Sequence, residues 1–139
     1  MAQTQPAPSA PLAPAIRLAF VKLNTSDMAG ALAFWRDAFG FAVRQTYDEP
    51  GFLENIMELP GQPGGLSLML VQPKPLAETT VGTAHGPVGL QCDDIVTTLE
   101  HALAAGGRKT MDITEVAPGV RVCLLFSPQG HEIELVQAG

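Results

Sequence analysis

The sequence predicts an α+β fold of two tandem βαβββ modules. Three observations carry this reading. Residues 130–137 (Gly-His-Glu-Ile-Glu-Leu-Val-Gln) read as a final strand with Glu132 and Glu134 on one face, and residues 66–72 end in the same Leu-Val-Gln. The shift that takes Asp27 to Asp94 also takes Leu23 to Leu90, Leu32 to Leu99 and Gly40 to Gly107. A shift shorter by two residues takes Met69 to Glu134, as one small deletion between repeats would. Each half then runs through the same series of strand, helix and three strands.

The elements follow from local signals. Residues 16–23 are apolar and rich in β-formers, a first strand. Asn24-Thr25-Ser26-Asp27 is a helix start, after which Met28, Leu32, Trp35 and Phe39 recur at helical spacing until Gly40. Strands are expected over 41–47, 52–59 and 66–72, separated by Glu49-Pro50-Gly51 and by the turn residues 60–65. Residues 73–86 form a linker between module 1 (about 16–72) and module 2 (about 87–137). Residues 87–92 restart the pattern, and Asp93-Asp94 caps a helix with Ile95, Leu99 and Leu103 inward and Gly106-Gly107 at its end. Strands over 108–115, 119–126 and 131–137 complete it. Residues 15–139 make one domain, and residues 1–14, rich in Ala and Pro, read as a disordered tail.

Composition narrows the function classes. The chain of 139 residues is 46% hydrophobic, enough to bury a core. Its net charge of −6 argues against nucleic acid and mildly favours a cationic ligand. No apolar run reaches the roughly 18 residues of a membrane span. The start lacks the basic and apolar segments of a signal peptide, so a cytoplasmic location is expected. Cys92 and Cys123 lack metal or disulfide spacing and are read as free thiols. P-loop, G-x-G-x-x-G, G-x-S-x-G and H-E-x-x-H patterns do not occur in the sequence.

Three pieces resemble the vicinal oxygen chelate superfamily, which includes glyoxalase I, extradiol dioxygenases and the fosfomycin- and bleomycin-resistance proteins. Asp27-Met28-Ala29-Gly30-Ala31-Leu32-Ala33-Phe34-Trp35 is similar to its first helix, and Phe39-Gly40-Phe41 to its helix-to-strand step. Ser127-Pro128-Gln129-Gly130-His131-Glu132-Ile133-Glu134-Leu135 is similar to its D-P-x-G-x-x-I-E-L ending, with Ser127 in place of Asp. The resemblance implies the glyoxalase/bleomycin-resistance fold, with curled mixed sheets around a cup-shaped cleft, and a homodimer.

It also implies a divalent metal held by one residue from the first and one from the last strand of each module. Those positions here are Phe20, Met69, Pro87 and Glu134. Phe and Pro offer no ligand atom, and a thioether prefers soft ions, so no metal cofactor is expected. A displaced metal set of His85, Gln91 and Glu134 is the alternative. Strand parity places Leu18, Phe20 and Lys22 on one cup side, with Pro87, Gly89 and Gln91, and Glu132 and Glu134, on theirs.

Ligand-binding candidates are Phe20, Lys22, Tyr47, Phe52, Met69, Gln91, Glu132 and Glu134. Glu134 in an apolar cup suits a general acid or base, unless Lys22 or another cation pairs with it. Glu54 belongs to the hairpin that lines the pocket in resembling proteins. His131 alternates away from the two glutamates and is left out of the site, His101 falls on the surface, and Trp35 is core. Two functions follow: a metal-free protein binding or sequestering a small organic molecule, or a glyoxalase-like lyase or isomerase working through Glu134.

Overall fold

The computed structural model describes residues 15–62 and 64–139; the tail expected over residues 1–14 lies outside them. The order is β1 (Phe20–Asn24), α1 (Met28–Phe39), β2 (Ala42–Glu49), β3 (Phe52–Glu58), β4 (Ser67–Pro73), β5 (Val88–Gln91), α2 (Ile95–Ala104), β6 (Arg108–Ala117), β7 (Val120–Phe126) and β8 (Glu132–Ala138). The strands form two four-stranded sheets ordered β1-β4-β3-β2 and β5-β8-β7-β6. β1 runs parallel to β4 and β5 parallel to β8, the remaining pairs being antiparallel, so both sheets are mixed and open. β1 starts later than residue 16 because its ladder with β4 begins at the Phe20–Ser67 pair. Ile16 and Leu18 are exposed.

Each helix starts on an aspartate. The Asp27 carboxylate accepts from Gly30 N–H at 3.0 Å and Asp94 from Thr97 N–H at 3.1 Å, satisfying a donor that the first turn leaves open. The repeated Leu-Val-Gln has its explanation here. Leu70 and Leu135 are fully buried under the helices. Gln72 Oε1 accepts from Met28 N–H, and Gln137 Oε1 from Ile95 N–H, each at 2.8 Å. The last strand of each module thereby holds the first turn of its own helix. Gln72→Leu and Gln137→Leu should each cost about 1–2 kcal/mol in urea denaturation, the penalty of an unsatisfied helix donor. Wild-type stability in both variants would refute this role.

α1 packs on α2, and one apolar core joins the modules through the helix-facing sides of both sheets. Met28, Ala31, Phe34, Trp35 and Ala38 are the buried residues of α1, whereas Leu32 and Phe39 are only partly buried. On α2 the inner face is Ile95, Leu99 and Ala102, and the expected Leu103 is 39% exposed. A 3.6-residue period carries the buried stripe from 95 through 99 to 102, and residue 103 lies a further step round. The paired glycines also differ in use. Gly40 ends α1 in the left-handed region at φ +82°, but after α2 that conformation falls on Gly106 at φ +106°. Gly107 is needed for close approach instead, since a Cβ there would lie 2.8 Å from the Ala102 carbonyl oxygen.

Candidate functional site

Strand alternation gives each sheet one face on the helices and one open face. On the open face of the first sheet, register places Lys22 beside Met69 and Met69 beside Ile56. The next row holds Asn24, Val71, Glu54 and Tyr47. Phe20 and Phe52 lie on the same face at its two ends. Lys22 reaches from β1 across β4 and places Nζ 3.0 Å from Glu54 Oε2 on β3. This corrects the expected pairing of Lys22 with Glu134. Glu54 is buried, so Lys22 supplies the counter-charge that a desolvated carboxylate requires.

The second sheet presents Glu132 and Glu134 on β8 and Gly89 and Gln91 on β5. Glu134 stands between Gly89 and Leu124 in the register, and a Cβ at Gly89 would meet nothing within 4 Å. Glu134 is therefore half-buried in apolar surroundings with open space beside it. Among the described residues neither Glu132 nor Glu134 forms an ion pair.

Between the edge strands β1 and β5 runs a crevice of about 1100 Å³. Of the candidate residues, Lys22, His85, Pro87 and Glu132 line it, whereas Phe20, Tyr47, Phe52, Met69, Gln91 and Glu134 do not. His131, which alternation had set aside, lines it too. It does point away from Glu132 and Glu134, but that direction leads into the seam between modules. His131 is 6% exposed, and its Nε2–H donates to the Asn24 carbonyl at the end of β1, 3.0 Å away. Its Nδ1 is buried without a partner among the described residues, and the loop is tightened by His131 N–H donating to Ser127 Oγ. A donor–acceptor clasp with a main-chain carbonyl leaves no trace in a single sequence.

Burial pushes the His131 imidazole below its ordinary value, more strongly than the bond to Asn24 raises it. The folded chain thus takes up this proton later than the unfolded one. The stabilising contribution is complete above the unfolded value of about 6.5 and is lost as pH falls through the folded value. Stability should therefore drop below pH 6.5 by at most about 1.4 kcal/mol per pH unit from this group. Urea denaturation between pH 7.5 and 5 checks it. The His131→Gln variant should show a flatter dependence, and an unchanged slope would remove His131 as the cause.

The resemblance implies metal ligands at four positions, Phe20, Met69, Pro87 and Glu134. The equivalent rows Lys22–Met69 and Gly89–Glu134, together with the buried pair Leu70 and Leu135, align the modules as the repeat suggests. Phe20, Met69, Pro87 and Glu134 then supply one hard oxygen donor group and one thioether, a set that does not fit a hard or borderline divalent ion. In the displaced set, Gln91 and Glu134 are on the open face of neighbouring strands one row apart, and His85 is exposed in the connection before β5.

Comparison with known proteins extends these observations. Over residues 17–135 the chain matches the sequence profile of the Glyoxalase/Bleomycin resistance protein/Dioxygenase superfamily. It is 25% identical to a lactoylglutathione lyase of Haemophilus influenzae over 118 residues, 83% of this chain and 87% of that protein. Its fold superposes on glyoxalase I from Zea mays with a TM-score of 0.79 at 18% identity, covering 88% of this chain and 45% of the maize protein. The chain thus spans less than half of that protein's length. A glyoxalase family protein from Bacillus cereus gives a TM-score of 0.79 at 14% identity, covering 91% and 97% of the two chains. Among the described residues, no helix is long and apolar enough to cross a membrane. The doubled βαβββ unit, its two mixed sheets and the profile match place this chain in the Glyoxalase/Bleomycin resistance protein/Dioxygenase superfamily.

Proposed function

We propose that this chain accommodates a small organic molecule in its open cleft without the metal centre implied by its family, as a binding or sequestering protein. The observation that carries the reading is the donor set: Phe20 and Pro87 offer no ligand atom, and Met69 offers only a thioether. The open faces meanwhile offer apolar and aromatic surface with a few polar groups, the usual make-up of a small-molecule site. The protein acts as a cytoplasmic homodimer in this reading. Elemental analysis of protein purified without tags or chelators tests it. Metal at background level is expected, and near-stoichiometric Zn, Ni, Mn or Fe would overturn it and direct attention to His85, Gln91 and Glu134.

A second reading, a glyoxalase-like lyase or isomerase, is favoured by the lyase name of the Haemophilus relative and by the half-buried Glu134. In that case Glu134 takes and returns a proton at the substrate. Glu134→Gln keeps the shape and removes the titrating group, so turnover should fall by about 10²–10⁴-fold if Glu134 is the acid or base. For a binder the same variant leaves ligand affinity in place and no turnover is lost.

A further inference from the structure

The open face of the first sheet has a local chemistry that the chain's overall charge conceals. Lys22 Nζ touches Glu54 and lies 5.5 Å from the centre of the Phe20 ring. Tyr47 is the register partner of Glu54, and Phe52 is two residues from Glu54 on the same strand and face. The three rings are 48%, 39% and 37% exposed for Phe20, Tyr47 and Phe52. The Lys22 side chain is itself 48% exposed, whereas that of Glu54 is only 9% exposed. The carboxylate is thus covered and the ammonium is presented. An ammonium has three N–H donors, and the contact with Glu54 leaves others directed to the open side.

Arg44 builds a second arm from the opposite edge. It lies at the bulge in β2, reaches Ser67 Oγ on β4 at 3.4 Å and pairs with Glu58 at 3.4 Å. The two arms cross the sheet from its two edges, and beneath them Met69 and Ile56 are buried although they lie on the open face. The Lys22 and Arg44 side chains remain about half exposed, at 48% and 47%. Glu58, paired with Arg44, and Glu49, opposite Phe52 at the hairpin tip, are further carboxylates on this face.

We infer that this face binds an organic anion with an aromatic or flat apolar body, its acid group on the Lys22 ammonium and its body against the neighbouring Phe20 ring. The inference rests on the small-molecule reading above and names the chemical class of its ligand. The net charge of −6 points weakly the other way. A group in contact with Lys22 responds to that ammonium before it responds to charges more than a Debye length of about 8 Å away.

Isothermal titration with three probes of one shape provides the test: 2-naphthoate, naphthalene-2-methanol and 2-naphthylmethylammonium. The acid should bind at least ten-fold more tightly than the other two. Lys22→Met should weaken it at least ten-fold, and so should Lys22→Met with Glu54→Gln, which leaves no unpaired buried carboxylate if the single variant folds poorly. Lys109→Met, the same charge change at a residue paired with Asp112, should leave the affinity unchanged. Equal binding of acid and alcohol, tighter binding of the amine, or an acid affinity indifferent to Lys22 would overturn the anion assignment and leave the small-molecule reading standing. Failure of all three probes to bind would overturn the assignment of an aromatic-bodied ligand to this face and leave the small-molecule reading to its own test.

Discussion

Trp35→Ala is expected to remove roughly 3–5 kcal/mol of folding stability, the range for deleting a large aromatic side chain from a packed core. Trp35 is fully buried. Its ring lies edge-on to Phe34 at 5.8 Å and to Phe41 at 5.6 Å, and tilted to Phe39 at 5.5 Å. These residues join α1 to the start of β2, and the same core continues through Leu70 to Ile95 and Leu135 in the second module. The cavity would therefore open inside the aromatic cluster that ties α1 to the start of β2. Trp35 Nε1 is also buried without a partner among the described residues. Trp35→Phe deletes that unsatisfied donor along with part of the volume, so it should lose much less than the alanine variant. Urea denaturation followed by far-UV circular dichroism measures both. An alanine variant within about 1 kcal/mol of wild type would mean that the aromatic cluster contributes little to the core.

Lys22→Met carries the second large effect, a loss of about 1–3 kcal/mol, because it strands the Glu54 carboxylate. Glu54 is 7% exposed, and Lys22 is its ion-pair partner. The cost lies in the charge left behind more than in the contact removed, since a half-exposed ion pair contributes little by itself. Replacing both residues, Lys22→Met with Glu54→Leu, should recover most of the loss by substituting apolar packing for the pair. A thermodynamic cycle over the two single variants and the double variant measures this coupling. Additive losses with no recovery would show that Glu54 is stabilised by something other than Lys22.

The match between expectation and structure follows the range of the signals. Asp27 and Asp94 act within one helical turn, so each helix start was legible and lies where the caps stand. The Leu-Val-Gln repeat was legible as a pattern. Its cause, a glutamine bonding the helix start of its own module, involves residues 44 and 42 positions apart in the chain and was not. Leu103 was misassigned because Leu103 and Ala102 are both apolar, and only packing against the neighbouring sheet selects between them.

By itself the sequence determined the doubled βαβββ unit, the helix caps, the alternating strand faces and the residues at the four metal-ligand positions implied by the family. Each depends on residue type, on spacing within one element, or on comparison of one half with the other. The tertiary structure alone decided that Lys22 meets Glu54 rather than Glu134, that His131 closes the seam onto Asn24, and that the Phe20 ring lies beside the Lys22 ammonium. The reason is the strand order β1-β4-β3-β2: β4 enters between strands that precede it in the chain and brings residues from four separate segments onto one face. Distance along the chain carries no record of that insertion.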